Sequence, residues 1–273
     1  MMRLIKYKED WRSLLLVVVC CGMLVTPFFI ELPSIVIPLW IFTTGMLCFS
    51  VCVINHNHVH HPVFTLPVFN NVFGIVLTCV KGHTSAGVIQ AHNLNHHVHI
   101  GKQDDWIRPQ LAGQGIGLKR LIRYIVNASI SMAKGRHSER NKGLSAEMIF
   151  RIRLERCCLW IAIVSLVVLD ASSFGLYVVI PWGMGVIMLV GVNLLQHDQC
   201  VSRSRYNHSR NFTGKLGNWF FFNNGYHTAH HDKPALHWSR LPTIHNKHIR
   251  KHMDLRFEKE SILGFLFDNY FRI

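Results

Sequence analysis

Between residues 13 and 54 the sequence holds one charged side chain, Glu31, and between 157 and 196 again only one, Asp170. Neither stretch contains a lysine, an arginine or a histidine. Over the whole chain 16% of residues are charged against 49% hydrophobic, a balance that excludes an ordinary soluble domain. Each charge-poor block is long enough for two membrane passes of about 20 residues. The lone acid marks the turn in each: Pro33 in FFIELPSIVIP favours a turned backbone at Glu31–Ser34, and LDASSFG does the same around Asp170. The expectation is four transmembrane helices in two hairpins, over about 13–30, 35–54, 157–172 and 174–196. No small-residue cleavage site follows the first hydrophobic stretch, so it reads as a retained span and not a signal peptide.

Also missing are internal repeats, low-complexity linkers and a second soluble domain, so residues 1–273 read as a single domain. The eight cysteines show neither metal-site spacing nor an extracellular pairing pattern, and read as apolar filler. What the sequence has in quantity is positive charge on one side. All 29 lysines and arginines fall in 1–12, 55–156 or 197–273, which the positive-inside rule makes cytoplasmic together with both termini. The net charge of +14 thus belongs to one face, where topology and anionic lipid headgroups account for it. Acidic soluble partners are also steered to such a face, whereas nucleic acid is not an expected partner.

Between the hairpins, the uncharged run VFTLPVFNNVFGIVLTCV at 63–80 is long enough to cross once but not twice. A single crossing would invert the second hairpin, so a re-entrant or interfacial segment is expected, bent at Asn70, Asn71 and Gly74. Further on, Leu118, Leu121, Ile122 and Ile125 recur at helical spacing opposite Lys119, Arg120 and Arg123, the pattern of an amphipathic interfacial helix. SILGFLFDNYF near the C-terminus has a similar character. The fold class expected is an all-α integral membrane protein with a cytoplasmic helical cap.

The nineteen histidines are grouped, not scattered. NHNHVHHPVF directly follows the second span, and within it His56 and His60 lie one helical turn apart while Pro62 discourages helix at His61. QAHNLNHHVH offers His92, His96 and His97, with His92 and His96 again four apart. GYHTAHHD offers His227, His230 and His231. His197 closes the fourth span, with Asn193 one turn earlier on the same side. All these groups lie just cytoplasmic of spans, so bundling the helices would bring them together beneath the bilayer. Neutral imidazole ligates iron, zinc, copper or nickel, and spacing does not choose among them. Adjacent residues such as His96 and His97 cannot both aim at one point from a regular helix, which points to two metals. Solvated or hydrogen-bonded roles are expected for His58, His83, His99, His137 and His208. Lipid-headgroup or donor contacts are expected for His237, His245, His248 and His252.

The three groups resemble the histidine boxes of the membrane fatty acid desaturase and hydroxylase superfamily, H-x3/4-H, H-x2/3-HH and H-x2/3-HH. They stand here as His56-x3-His60, His92-x3-His96-His97 and His227-x2-His230-His231, in the same order and placed alike relative to the spans. His61 also fits the looser first-box spacing. The resemblance implies two non-haem irons held by about nine histidines, with His197 as the one at the end of the fourth span. It implies that Asn193 holds a metal-bound water. It further implies O2-dependent oxidation of an unactivated C–H bond of a fatty acyl chain, most simply desaturation, at a site reached from the membrane side. Hydroxylation, acetylenic bond formation and decarboxylation to terminal alkenes use near-identical boxes. The acyl handle, whether free acid, lipid, coenzyme A thioester or carrier-protein thioester, is left open. Asp104 and Asp105, just after the second box, are candidates either to orient histidine rings or to cap a helix. The His-Pro-Gly-Gly motif of relatives fused to a haem carrier is absent, which implies an external electron donor such as a ferredoxin or a cytochrome. Of other classes, a bis-histidine haem protein needs histidines inside the spans, and a transporter needs polar ligands at mid-membrane. A zinc-dependent membrane hydrolase is the remaining alternative.

Overall fold

A segment that leaves water must satisfy its own backbone N–H and C=O groups, and helices do this turn by turn. The computed structural model describes residues 3–272, and these are mostly helical. They form two compact units, one of Met1–Ile89 with Leu144–Leu189 and one of Gln90–Gly143 with Val190–Ile273.

Three helical runs are long and apolar enough to cross a membrane: Lys8–Phe28, Ile37–His60 and Ala146–His197. The chain is non-helical between the first two, where Glu31 and Pro33 lie. The third run has 52 residues, about 78 Å of helix against a hydrocarbon core of about 30 Å. It is interrupted at Asp170, whose backbone leaves helical geometry at φ −162° and ψ 106°. The Asp170 carboxylate accepts from the Ser172 and Ser173 N–H groups at 2.8 and 3.1 Å and from the Ser173 hydroxyl at 2.7 Å. A short acceptor side chain on the first free amides is what starts a new helix.

In the first unit the helix Pro67–Lys81 runs unbroken through Asn70, Asn71 and Gly74, so the expected bend is not there. Asn70 instead ties the loop before the helix, accepting from the Phe64 N–H and donating to the Phe64 carbonyl, both at 2.9 Å. Gly74 is a packing residue: a Cβ there would lie 2.9 Å from Glu155 Oε1 and crowd the Arg151 guanidinium. Glu155 is fully buried and accepts from the Ala86 N–H at 2.8 Å and Arg151 Nε at 3.2 Å. Residues that break helices in water thus serve here as a tether and a close-approach point. At 15 residues, or about 22 Å, this helix is too short to span the hydrocarbon core.

In the second unit the helix Gly117–Ser138 splits its apolar residues between two stripes. Leu121, Tyr124, Ala128 and Gly135 are buried, whereas Leu118, Ile122, Val126 and Ile130, four residues apart, are exposed. Arg120 leaves the expected polar face to pair with Asp198. The strands Asn211–Phe212 and Glu258–Lys259 pair in parallel, and the helix Ile262–Leu266 follows with Leu263 exposed and Ile262 buried. All eight cysteines are free.

Candidate metal centre

Three short elements carry the histidines that converge in the second unit. The first is the segment 90–99, which widens into a π-helical turn at His92–His96. The extra residue in that turn brings His97 into the position expected for His96. His92 Nε2 therefore meets His97 Nε2, at 3.0 Å, and His96 turns elsewhere. The second element is the end of the helix Ile180–His197. The third is the helix His227–Asp232, fixed by the Thr228 N–H donating to Asn211 Oδ1 at 3.0 Å and by the Thr228 and Ser209 hydroxyls 2.8 Å apart.

Gly225 leads the chain into that third element. Its N–H reaches Asn218 Oδ1 at 3.1 Å, its carbonyl accepts the Phe212 N–H at 2.8 Å, and a Cβ would collide with the Phe212 carbonyl. Gly225→Ala is expected to destabilise the chain by about 1–3 kcal/mol through overpacking. Thermal unfolding in detergent measures that loss.

Two sets of rings converge. The ligand nitrogens of His96, His197, His227 and His231 all lie within 4.8 Å of one another, and so do those of His92, His97 and His230. In the first set His227 Nε2 is 2.9 Å from His197 Nε2 and 3.1 Å from His231 Nε2. In the second, His97 Nε2 is 3.0 Å from His92 Nε2 and 3.1 Å from His230 Nε2. Both adjacent pairs, His96 with His97 and His230 with His231, are divided between the two sets. The remaining box residues, His56 and His60, belong to the first unit, on one turn of the helix Ile37–His60 with ring centroids 5.1 Å apart. His61 lies past that helix end at φ −139° and packs edge-on against Tyr7 at 5.3 Å.

Outer partners fix which nitrogen is bare. His197 Nδ1 can only donate to the His208 carbonyl, 3.2 Å away, which leaves a lone pair on Nε2. His96 Nδ1 lies 3.1 and 3.2 Å from the two oxygens of Asp105, and His96 Nε2 is buried without a hydrogen-bond partner. Burial alone would raise the Asp105 carboxyl. The His96 ring beside it, with the Gly101 and Ile107 N–H groups at 2.9 and 3.0 Å, outweighs that and holds the group below the usual carboxylate range. Burial, reinforced by the neighbouring imidazoles, keeps His231 neutral by lowering its pKa well below the ordinary value. Neutral rings with bare nitrogens packed this closely repel one another unless a cation sits among them. Two nitrogens about 2.1 Å from one ion stand about 3.0 Å apart at right angles and about 3.4 Å apart at the tetrahedral angle. The spacings above fit the first, and the donor set fits a metal.

Asp104 does not share the role of Asp105: its side chain is exposed, and its carbonyl accepts from Asn95 Nδ2 at 2.8 Å. Asn193 donates to the Ile107 carbonyl at 3.0 Å and to the Tyr124 hydroxyl at 2.6 Å, and that hydroxyl donates to the same carbonyl at 2.7 Å. Ile107 in turn binds Asp105, so Asn193 and Tyr124 brace the loop that holds His96. Neither Tyr124 nor the His208 carbonyl stands out in the sequence, because one is a single buried aromatic and the other is backbone. Tyr124→Phe is expected to cost about 1–3 kcal/mol by leaving buried polar groups unpaired, measured by chemical unfolding beside the parent. Two histidines expected on the basic surface are buried: His237 accepts from the Ser239 N–H at 3.3 Å, and His245 pairs with Glu258 at 2.9 Å.

The sequence model described as fatty acid desaturase matches residues 6–257. The chain belongs to the fatty acid desaturase family. No curated protein matches it. Membership makes the chain an oxidoreductase of fatty acyl metabolism, and its histidine sets are the metal-site candidates of such an enzyme. The three long apolar helices suit the membrane protein this desaturase family implies.

Proposed function

We propose that the protein is a membrane-embedded diiron enzyme that desaturates a fatty acyl chain with O2. The observation that supports this reading most is the pair of histidine sets whose Nε2 atoms stand 2.9–3.1 Å apart at the hubs His227 and His97. One iron is assigned to His96, His197, His227 and His231. The other is assigned to His92, His97 and His230, with His56 and His60 completing its ligands as the first box implies. Iron, once bound, supplies the O2 activation and C–H cleavage, which no side chain can do alone.

The chain's own residues set the conditions for that chemistry. Asp105 and the His208 carbonyl hold two rings in one tautomer, so their Nε2 atoms stay unprotonated and aimed. Asn193, whose amide N–H groups are occupied by Ile107 and Tyr124, keeps its oxygen to hold a water at the site. The four-span topology, with the interruption at Asp170 as the turn of the second hairpin, puts both termini and the histidines on the cytoplasmic side. Electrons come from a separate ferredoxin or cytochrome arriving at the basic face.

Production of the chain in a host with suitable donors, followed by mass spectrometry of lipids and volatile hydrocarbons, tests the reading. A new double bond is expected. A hydroxyl, an alkyne or a one-carbon-shorter terminal alkene names a sister reaction at the same centre. Acyl chains left unchanged by an iron-loaded, electron-supplied protein contradict it, and a zinc-loaded hydrolytic activity replaces it.

A further inference from the structure

Beside the proposed iron ligand His197, the second unit holds two cavities that share Arg120, Asp198 and Gln199 in their walls. One, of about 410 Å3, includes His197 and His208. The other, of about 370 Å3, gathers Arg120, Arg210, Arg256 and Lys259 around Phe265 and Tyr270. Four cations around one cavity call for an account of their counter-charges. Arg120 has one, since both its terminal nitrogens reach the Asp198 carboxylate, which also accepts from the Tyr270 hydroxyl at 3.0 Å. Arg256 has one in Asp254, at 2.9 Å.

Arg210 has none. It is 5% exposed, donates to the Leu195 and Asp198 carbonyls at 2.6 and 3.1 Å, and lies 4.2 Å over the Phe265 ring. Its Nε is buried with no hydrogen-bond partner, and no carboxylate pairs with it among the described residues. Lys259, which is exposed, likewise has no carboxylate partner among the described residues. A buried guanidinium held by neutral carbonyls and the face of a ring has no counter-ion, at a cost that an anion would remove. Arginine is also the side chain best shaped for an oxyanion, because its fork matches two oxygens at once.

We propose that this cavity is an oxyanion site, and that it takes the phosphate or carboxylate at the polar end of the acyl substrate. The first half stands on the cavity itself; the second rests on the proposed function. Asp198 follows His197 directly in the chain, so an anion held there tethers the polar handle next to the residue that reaches iron. The Arg120–Asp198–Tyr270 group lies in the shared wall and keeps the one nearby carboxylate occupied, so that it does not repel the ligand.

The test uses the full, metal-loaded chain in phosphatidylcholine nanodiscs, titrated calorimetrically with inorganic phosphate and with decanoate at constant ionic strength. Saturable binding at one site per chain is expected. The double variant Arg256→Gln, Lys259→Gln, whose side chains are exposed, is expected to weaken it at least about tenfold, the order of one lost charge-assisted contact, without lowering the unfolding temperature. Arg210→Lys keeps charge but loses the fork and should fall between the two. Absence of saturable binding of either probe to the parent, or equal binding to the double variant, overturns the site. Repeating the phosphate titration in discs containing phosphatidic acid assigns the source: suppressed binding means a lipid headgroup fills the site, and retained binding means a soluble handle does. In turnover assays the double variant should raise KM with little change in kcat. An unchanged KM despite lost phosphate binding overturns the link to substrate. Iron content and kcat on the same samples report the metal centre separately, so its failure is distinguishable from failure of the oxyanion site.

Discussion

Replacing His227 by Ala is expected to leave a chain that still enters the membrane, retains about one metal ion in place of two, and loses more than about 100-fold in acyl oxidation. His227 is the hub of its set, with its Nε2 at 2.9 and 3.1 Å from those of His197 and His231. Loss of a partner that merely orients a ligand costs about 10–100-fold in metal affinity or activity, so loss of the ligand itself should cost more. The helix His227–Asp232 does not depend on that ring: Thr228, Asn211 and Ser209 hold it through their own hydrogen bonds. His97→Ala should do the same to the other set, because His97 Nε2 bridges His92 and His230. The exposed His137→Ala serves as the control with full metal and activity. Metal content and turnover measured on the same preparations decide the matter; full values in either hub variant contradict the assignment.

Asp105→Asn is the second large effect expected. The carboxylate is fully buried and both oxygens accept: one takes the His96 ring and the Ile107 N–H, the other the His96 ring and the Gly101 N–H. An amide keeps one acceptor, so its NH2 must face one of those donors whichever way it lies. His96 then loses the partner that keeps its Nε2 bare. Metal affinity should fall about 10–100-fold, and the metal-free chain should lose about 1–3 kcal/mol for the unpaired buried donor. Metal titration and thermal unfolding read the two consequences separately. Asp104→Asn should change neither, since its side chain is exposed and only its carbonyl is engaged.

The sequence exposes this site to the extent that chemistry concentrates residues. Imidazoles in tight groups beside charge-free runs serve metal ligation better than solvation or packing, so the histidines that converge in the second unit are those the grouping picks out. Their division is harder to read. The π-helical turn at His92–His96 shifts the register by one residue, and no side chain in NLNHH announces it. Which of two adjacent acids orients a ring depends on where the Gly101–Ile107 loop turns, and that decides for Asp105 over Asp104. In membrane-facing segments the usual breakers mislead: Gly74 and Asn70 read as a bend but serve packing and tethering. Asp170, the lone charge of its block, does break the helix, because its short carboxylate reaches the next free amides. Burial of His237 and His245 escapes notice because their setting, rich in Lys and Arg, has the composition of a surface.

Elemental analysis of the purified chain with Mössbauer spectroscopy tests most directly whether these imidazoles hold two iron ions. The prediction is two irons per chain, coupled to one another, falling to about one in His227→Ala and in His97→Ala. A single zinc per chain, or iron content unchanged when both hubs are removed, contradicts it.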